Sequence, residues 1–323
     1  MATAFTTGDF IASTTSGEAA SFVPEQWSSE FIAPYKQSRV MTAAVTVWNF
    51  VGEYGDVIHV PVFVRGIAHT KAVETVVTPN VTNSTLTDVS IDKHIEYTVL
   101  LEKFAETQAM PALRRAYIED AALAISMKID WDLHLLGRSA PTTTPAVGGN
   151  VVGADYADAV IGSNGSTVWD PTASANAGNA AALTDAGIRR LNRTMDDSAV
   201  PMQDRRLIIP PVELESLRGI ARFTEQAFVG DGSTIRSGLI GNLYGVPVAV
   251  SQNCPFVLDG AASNDQRAGM LLHKGAFVLV EQLRVQAVTA FLSEFLATQL
   301  TWHTIYGVKE VRPTNVIPFI VPA

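Results

Sequence analysis

Met110-Pro111-Ala112-Leu113-Arg114-Arg115-Ala116-Tyr117-Ile118-Glu119-Asp120-Ala121-Ala122-Leu123-Ala124-Ile125-Ser126-Met127-Lys128-Ile129-Asp130-Trp131-Asp132-Leu133-His134-Leu135-Leu136-Gly137 carries the signals of one long helix. Proline suits the first helical turn, where its missing N–H would be unpaired in any case. Leu113, Tyr117, Ala121, Ala124, Ile125, Leu135 and Leu136 follow the helical period, and Ile118, Ala122, Ile129 and Leu133 form a further stripe. Arg115/Glu119 and Lys128/Asp132 stand four residues apart, the spacing of neighbours on a helix surface. Gly137 supplies the stop.

Upstream of this helix the pattern is extended. Val45 to Val64 alternates in strand fashion, as in Asp56-Val57-Ile58-His59-Val60-Pro61-Val62, and a second strand-like run spans Val89 to Val99. Between them lies a polar stretch rich in Thr, Val and Asn, from Arg65 to Thr87. Two strands joined by an irregular polar tip predict a long hairpin that is weakly stable alone and rests on a neighbour. Residues 1–39 are rich in Thr, Ser and Ala, with the apolar anchors Phe5, Phe10, Ile11, Phe22, Trp27 and Phe31. That composition predicts an extended arm that packs on something else, with a short helix after Pro24.

Downstream, Ser139 to Asn179 reads as surface loops or an insertion, with Tyr156 and Trp169 as its bulky anchors. A helix is expected from Thr184, as cap, to Asp196, then a buried strand at Arg206-Leu207-Ile208-Ile209-Pro210-Pro211 and a short helix over Val212–Arg218. Gly230 to Gly238 reads as flexible. Strands are expected over Tyr244–Val250, Ala276–Val288, Thr298–Glu310 and Asn315–Val321.

The chain has 323 residues, of which 47% are apolar and 17% charged. Soluble domains average about 25% charged residues, so little surface is left to solvate, as large oligomer interfaces would explain. The net charge is −9, and the Lys and Arg residues are scattered, which argues against dedicated nucleic-acid binding. A container wall that lets packed DNA slide is compatible with that balance. The single cysteine, Cys254, excludes an intrachain disulfide. The first residues lack the basic and apolar regions of a secretory signal, and no run approaches the ~18 apolar residues of a membrane span.

Catalytic signatures are weak. Asp130 and His134 share a helix face while Asp132 points elsewhere, and the plain reading is a solvated or helix-packing pair rather than a metal site. The six histidines, His59, His69, His94, His134, His273 and His303, never approach metal-ligand spacing along the chain. Neither a Gly-x-Ser-x-Gly elbow nor a P-loop is present. No cofactor is expected.

Several segments, in order, resemble the major capsid proteins of tailed phages, whose Hong Kong 97-type fold is shared with encapsulins. Val23-Pro24-Glu25-Gln26-Trp27 is similar to the family's N-terminal arm, and the hairpin around Asp56 to Ile91 to its extended loop. Asp92-Lys93-His94-Ile95-Glu96-Tyr97 leading into Met110–Leu136 resembles the strand that feeds the long spine helix. Arg205-Arg206-Leu207-Ile208-Ile209-Pro210-Pro211-Val212-Glu213-Leu214 resembles its strand–Pro–helix segment, and Ile240-Gly241-Asn242-Leu243-Tyr244-Gly245-Val246-Pro247-Val248-Ala249-Val250-Ser251-Gln252-Asn253-Cys254-Pro255 its Val-Pro-Val strand. Trp302-His303-Thr304-Ile305-Tyr306-Gly307-Val308-Lys309-Glu310-Val311-Arg312-Pro313, with its Tyr-Gly pair, looks like the closing strand.

The resemblance implies an α+β architecture: an N-terminal arm (1–44), an extended β-hairpin loop (45–96), a peripheral domain with the spine helix (97–150 and 272–312) and an axial domain (151–271 and 313–323). It implies a homo-oligomeric shell of hexamers and pentamers in the virion, assembled in the host bacterial cytoplasm with no membrane partner. A scaffolding protein, a portal protein, a decoration protein and non-specifically packaged double-stranded DNA are the expected partners. Phe22, Trp27, Phe31, Arg65 and Lys71 are the expected inter-subunit contacts. Some family members join a loop Lys to an Asn of a neighbour. Lys71 and Asn315 could serve here, but a non-covalent shell is expected.

Two rivals stay open. An encapsulin-type compartment shares the fold, and a soluble enzyme or binding domain with an extended N-terminus would be a small oligomer with a ligand-sized pocket. Residues 1–24 hold no Lys or Arg, unlike the charged helical extension that some relatives remove by proteolysis. Intact mass spectrometry should therefore give the full chain, with or without Met1. A mature chain lacking its first few dozen residues would contradict this.

Overall fold

The computed structural model describes residues 39–323 apart from 53, 64–65, 81–83, 103–111, 140, 174–179, 221–222, 224–240 and 264. The expected arm, and the flexible Gly230–Gly238, therefore lie outside the described residues, apart from the arm's end at Arg39 to Ala44.

The long helix forms as its sequence predicts, as α1 (Ala112–His134). Gly137 takes a φ of +80° beyond its end, a left-handed conformation that glycine tolerates without strain. The helix is a spine because different stretches of it pack on different layers. Ala121 and Ile125 lie on Leu300 and Trp302, Leu133 lies with Phe277 and Tyr306, and Trp131 and Leu135 lie with Tyr156 and Trp169. Every residue from Asp130 to Leu135 is buried, so the last turns of α1 are enclosed on all sides.

Two sheets flank it. The four-stranded sheet has the order β1 (Thr46–Asn49), β12 (Phe277–Leu292), β13 (Ala297–Glu310), β4 (Lys93–Glu102). β1 runs parallel to β12, and the other pairs are antiparallel. The eight-stranded sheet centres on β11 (Gln266–His273). Along one edge β11 pairs with β14 (Val316–Pro322), and along the other with β10 (Phe256–Leu258) and then β7 (Arg205–Ile209). Outer positions are held by β5 (Asn150–Val152), β6 (Val160–Ile161), β8 (Asn242–Leu243) and β9 (Val246–Val250). Helices α2 (Asp185–Asp197) and α3 (Pro211–Arg218) bury Ile188, Leu191, Met195 and Leu217 against Leu207, Ile209, Phe319 and Val321. The Thr184 hydroxyl caps α2 by accepting from the Gly187 N–H at 3.2 Å, as its sequence predicts.

Several expectations are corrected. The run Val45–Val64 splits into β1 and β2 (Val57–Phe63), because the chain bends at Gly52 and Gly55, both with positive φ. The second strand of the hairpin is β3 (Ser84–Ser90), which lies mostly within the stretch expected as polar tip, while Val89–Val99 from Lys93 onward belongs to β4, in a different sheet. Ser139–Asn179 is only partly loop: it contributes β5, β6 and a 3-10 turn, and Val151, Tyr156 and Trp169 are core residues. Tyr244 and Gly245 form the left-handed turn between β8 and β9 rather than the start of a strand. β10 and β11 were not expected at all.

One buried carboxyl gives the fold a pH dependence. Glu213, fully enclosed in the first turn of α3, accepts the Leu183 N–H at 2.7 Å through Oε2, while Oε1 has no partner. Burial pushes its pKa up to about 7 from an ordinary 4.5. A raised folded-state value means stability fully present below about 4.5 and lost as pH rises through about 7. The loss is on the order of 3 kcal/mol. Glu213→Gln keeps an acceptor for Leu183 without the titration. Its melting temperature, relative to the parent chain, should therefore climb between pH 5 and pH 8, and a difference independent of pH would refute the assignment.

Candidate assembly interface

The hairpin β2–β3 is antiparallel over seven pairs, from Val57↔Ser90 to Phe63↔Ser84. Its base belongs to the core. Val89 is fully buried against Val278 and Val280, with Trp48, Phe50, Ile58, Val60, Ile91 and Val311 around them. Gly307 allows this close approach, since a Cβ there would sit 2.3 Å from the Ser90 carbonyl oxygen.

The far end is different. Every described residue from Gly66 to Asn80 is exposed, including Ile67 (70%), Val73 (90%), Val76 (90%) and Val77 (69%). The tip is nevertheless shaped by its own bonds. The Asn80 amide donates to the Ile67 carbonyl at 2.7 Å, its Oδ1 lies 3.0 Å from His69 Nε2, and the Thr75 hydroxyl donates to the Ala72 carbonyl. Four exposed aliphatic side chains on a surface held by its own hydrogen bonds form a candidate interaction surface.

A second such surface lies at the far end of the four-stranded sheet, where Val285, Val288, Phe291, Phe295 and Leu296 are exposed. Beyond Glu281 the outer edge of β12 has no partner strand among the described residues, and an unpaired apolar edge invites another chain.

Of the expected contact residues, Phe22, Trp27, Phe31 and Arg65 lie outside the described residues. Lys71 sits on the exposed tip, beside a hollow of about 310 Å³ lined by His69, Thr70, Thr75, Val76, Val77, Thr78 and Asn80. No carboxylate is among them, and Asn315 is buried, 6% exposed.

The pair Asp130/His134 is buried, not solvated, and joins three parts of the molecule. Asp130 Oδ1 accepts the Val40 and Met41 N–H groups at 3.1 and 2.9 Å, and Oδ2 accepts from the Asn253 amide at 2.9 Å. Burial alone would raise its pKa, but hydrogen bonds from His134, Asn253 and the Met41 N–H outweigh it and hold the carboxyl below the ordinary range. Removing one side of such a buried pair costs on the order of 3–5 kcal/mol.

His134 Nε2 faces both Ser251 Oγ (2.9 Å) and Asp130 (3.5 Å), while Nδ1 has no partner. A charge-relay triad needs both ring nitrogens engaged and its serine accessible, and here neither condition holds. Beside it Asp132, 4% exposed, accepts from Lys128 Nζ at 2.7 Å and the Tyr306 hydroxyl at 2.8 Å, with Lys93 at 3.6 Å.

Among the described residues no three His, Cys, Asp or Glu converge to hold a metal, and no helix is long and apolar enough to cross a membrane. Sequence spacing missed one approach: the rings of His94 and His303, on neighbouring strands, lie 5.6 Å apart.

No family model and no curated protein matches this chain. Solved structures do. The capsid of cyanophage P-SCSP1u matches with a TM-score of 0.74 at 16% identity, covering 99% of this chain and 99% of that one. The capsid of Ralstonia phage GP4 gives 0.69 at 16% identity over 93% and 95%, and a Mycobacterium phage Che8 structure 0.66 at 19% identity over 92% and 97%. The fold is the Hong Kong 97-type capsid fold.

The surroundings of Lys71 yield a direct expectation. Denaturing gels of mature particles should show a single band at the 34.6 kDa chain mass. A ladder of covalent multiples would contradict it.

Proposed function

We propose that this chain is the major capsid protein of a tailed phage, assembling as hexamers and pentamers into an icosahedral shell around double-stranded DNA. The observation that carries this reading is that the likeness to phage capsids extends over almost the whole of both chains rather than over one layer or motif. The exposed aliphatic hairpin tip fits it, because in a closed shell every subunit covers a neighbour's apolar surface and is covered in turn.

In this reading residues 1–44 are the arm, 45–96 the extended loop, 97–150 with 272–312 the peripheral domain, and 151–271 with 313–323 the axial domain. Phe22, Trp27, Phe31, Arg65 and Lys71 contact adjacent copies. The net charge of −9 limits adhesion of packaged DNA to the wall. A scaffolding protein guides assembly in the host cytoplasm, a portal occupies one vertex, and a decoration protein binds the outside.

Co-expressed with the neighbouring structural genes of its phage, the protein should give isometric particles in negative-stain micrographs. Val76→Glu places a charge at the tip, where 90% exposure means the subunit's own core is untouched. It should leave circular dichroism unchanged and reduce particle yield at least about tenfold, since a desolvated unpaired charge costs several kcal/mol. Normal particles from the variant, or only monodisperse monomer from the parent, would overturn the proposal. Cargo enzymes inside the particles in place of DNA would instead identify an encapsulin-type compartment.

A further inference from the structure

Four of the six histidines have a ring nitrogen engaged in a hydrogen bond. His59 Nδ1 bonds Asp88, His69 Nε2 bonds Asn80, His134 Nε2 bonds Ser251, and His273 Nδ1 accepts the Gly275 N–H. The other two, His94 and His303, face each other, with ring centroids 5.6 Å apart and planes at 80°. No hydrogen bond engages either imidazole among the described residues.

The sheet sets this geometry. His303 lies in register with Glu96, and His94 with Ile305, so the two histidines are diagonal neighbours on adjacent antiparallel strands. The inward face of this pair of strands, with Ile95, Tyr97, Leu300 and Trp302, packs on Ala121 and Ile125 of α1. By the alternation of a strand, His94, Glu96 and His303 occupy the opposite face, where His94 is exposed and His303 half-buried.

We propose that His94 and His303 form a two-imidazole chelate for a divalent transition metal ion of the zinc, nickel or copper class. Imidazole nitrogen is the preferred protein donor for these ions. With metal–nitrogen bonds of about 2.0–2.1 Å, two imidazoles on a tetrahedral ion place their centroids roughly 5.2 Å apart. The observed separation of 5.6 Å is close to that value. The rigid β4–β13 pairing brings the two rings together before any ion arrives, so chelation costs little ordering. Among the described residues no third His, Cys, Asp or Glu converges with the two rings, so water completes the coordination shell.

Isothermal titration of the full, untagged chain with zinc, and separately with nickel, tests the site. One ion per subunit is expected. His94→Asn and His303→Gln should each weaken binding about tenfold or more, because each leaves a single ligand without the chelate's effective concentration. His59→Ala, which removes an exposed imidazole elsewhere, should leave binding unchanged. Melting temperatures within a degree or so of the parent chain would establish that the variants are folded; a variant that fails this is replaced by Ala at the same position. No ion bound by the parent chain, or binding that survives in the double variant, overturns the proposal.

Discussion

Aliphatic side chains held out in water on a rigid support are a standing free-energy cost until something covers them. Val73, Val76, Val77 and Ile67 are in that position at the hairpin tip. Fully burying a side chain of this size is worth roughly 1.5–3 kcal/mol. The four together supply several kcal/mol toward an association that must also offset lost rigid-body freedom. The rigidity of the base matters as much. Val89 is locked under the four-stranded sheet and Gly307 lets the hairpin pack close, so the base of the hairpin is part of the subunit's own core.

That packing depends on how the layers are joined. The enclosed end of α1 is the joint: Leu133 packs with Phe277 and Tyr306, while Asp130 and Asp132 take hydrogen bonds from both sides of it. Asp130 also receives the Val40 and Met41 N–H groups and so fixes where the chain leaves residues 1–39 to enter the core. Polar groups at such a junction are costly unless satisfied, and when satisfied they allow one arrangement where an apolar contact would allow several. In the proposed shell, a tilt at this joint would become a displacement at the hairpin.

Much of this was legible in the sequence where local signals are strong. The helical stripes and Gly137 marked α1 and its end closely, and Thr184 marked the start of α2. One strand of the hairpin, β2, was legible through its alternation, but its partner β3 was not, because Ser84-Thr85-Leu86-Thr87 continues the polar composition of the tip. The central strand β11 was not, because Ala268-Gly269-Met270-Leu271-Leu272 is buried on both faces and shows no alternation, with a glycine in its middle. β5 and β6 were hidden for a related reason: they are short and lie among Gly, Asn and Thr, so only Tyr156 and Trp169 hinted at burial. The approach of His94 to His303 depends on strand pairing between distant segments, which spacing along the chain does not encode. The apolar content of the tip was visible as Val73, Val76 and Val77, but whether those valines face a core or water is a question of tertiary packing.

The central claim, that the hairpin tip is covered by another copy of the chain, is tested most directly by hydrogen–deuterium exchange of its backbone amides. Peptides spanning residues 66–80 should exchange rapidly in dissociated subunits and be strongly protected in assembled particles. Those of β11, buried within the subunit, should be protected in both states. Tip amides that exchange at the same rate in particles as in free subunits would contradict the account.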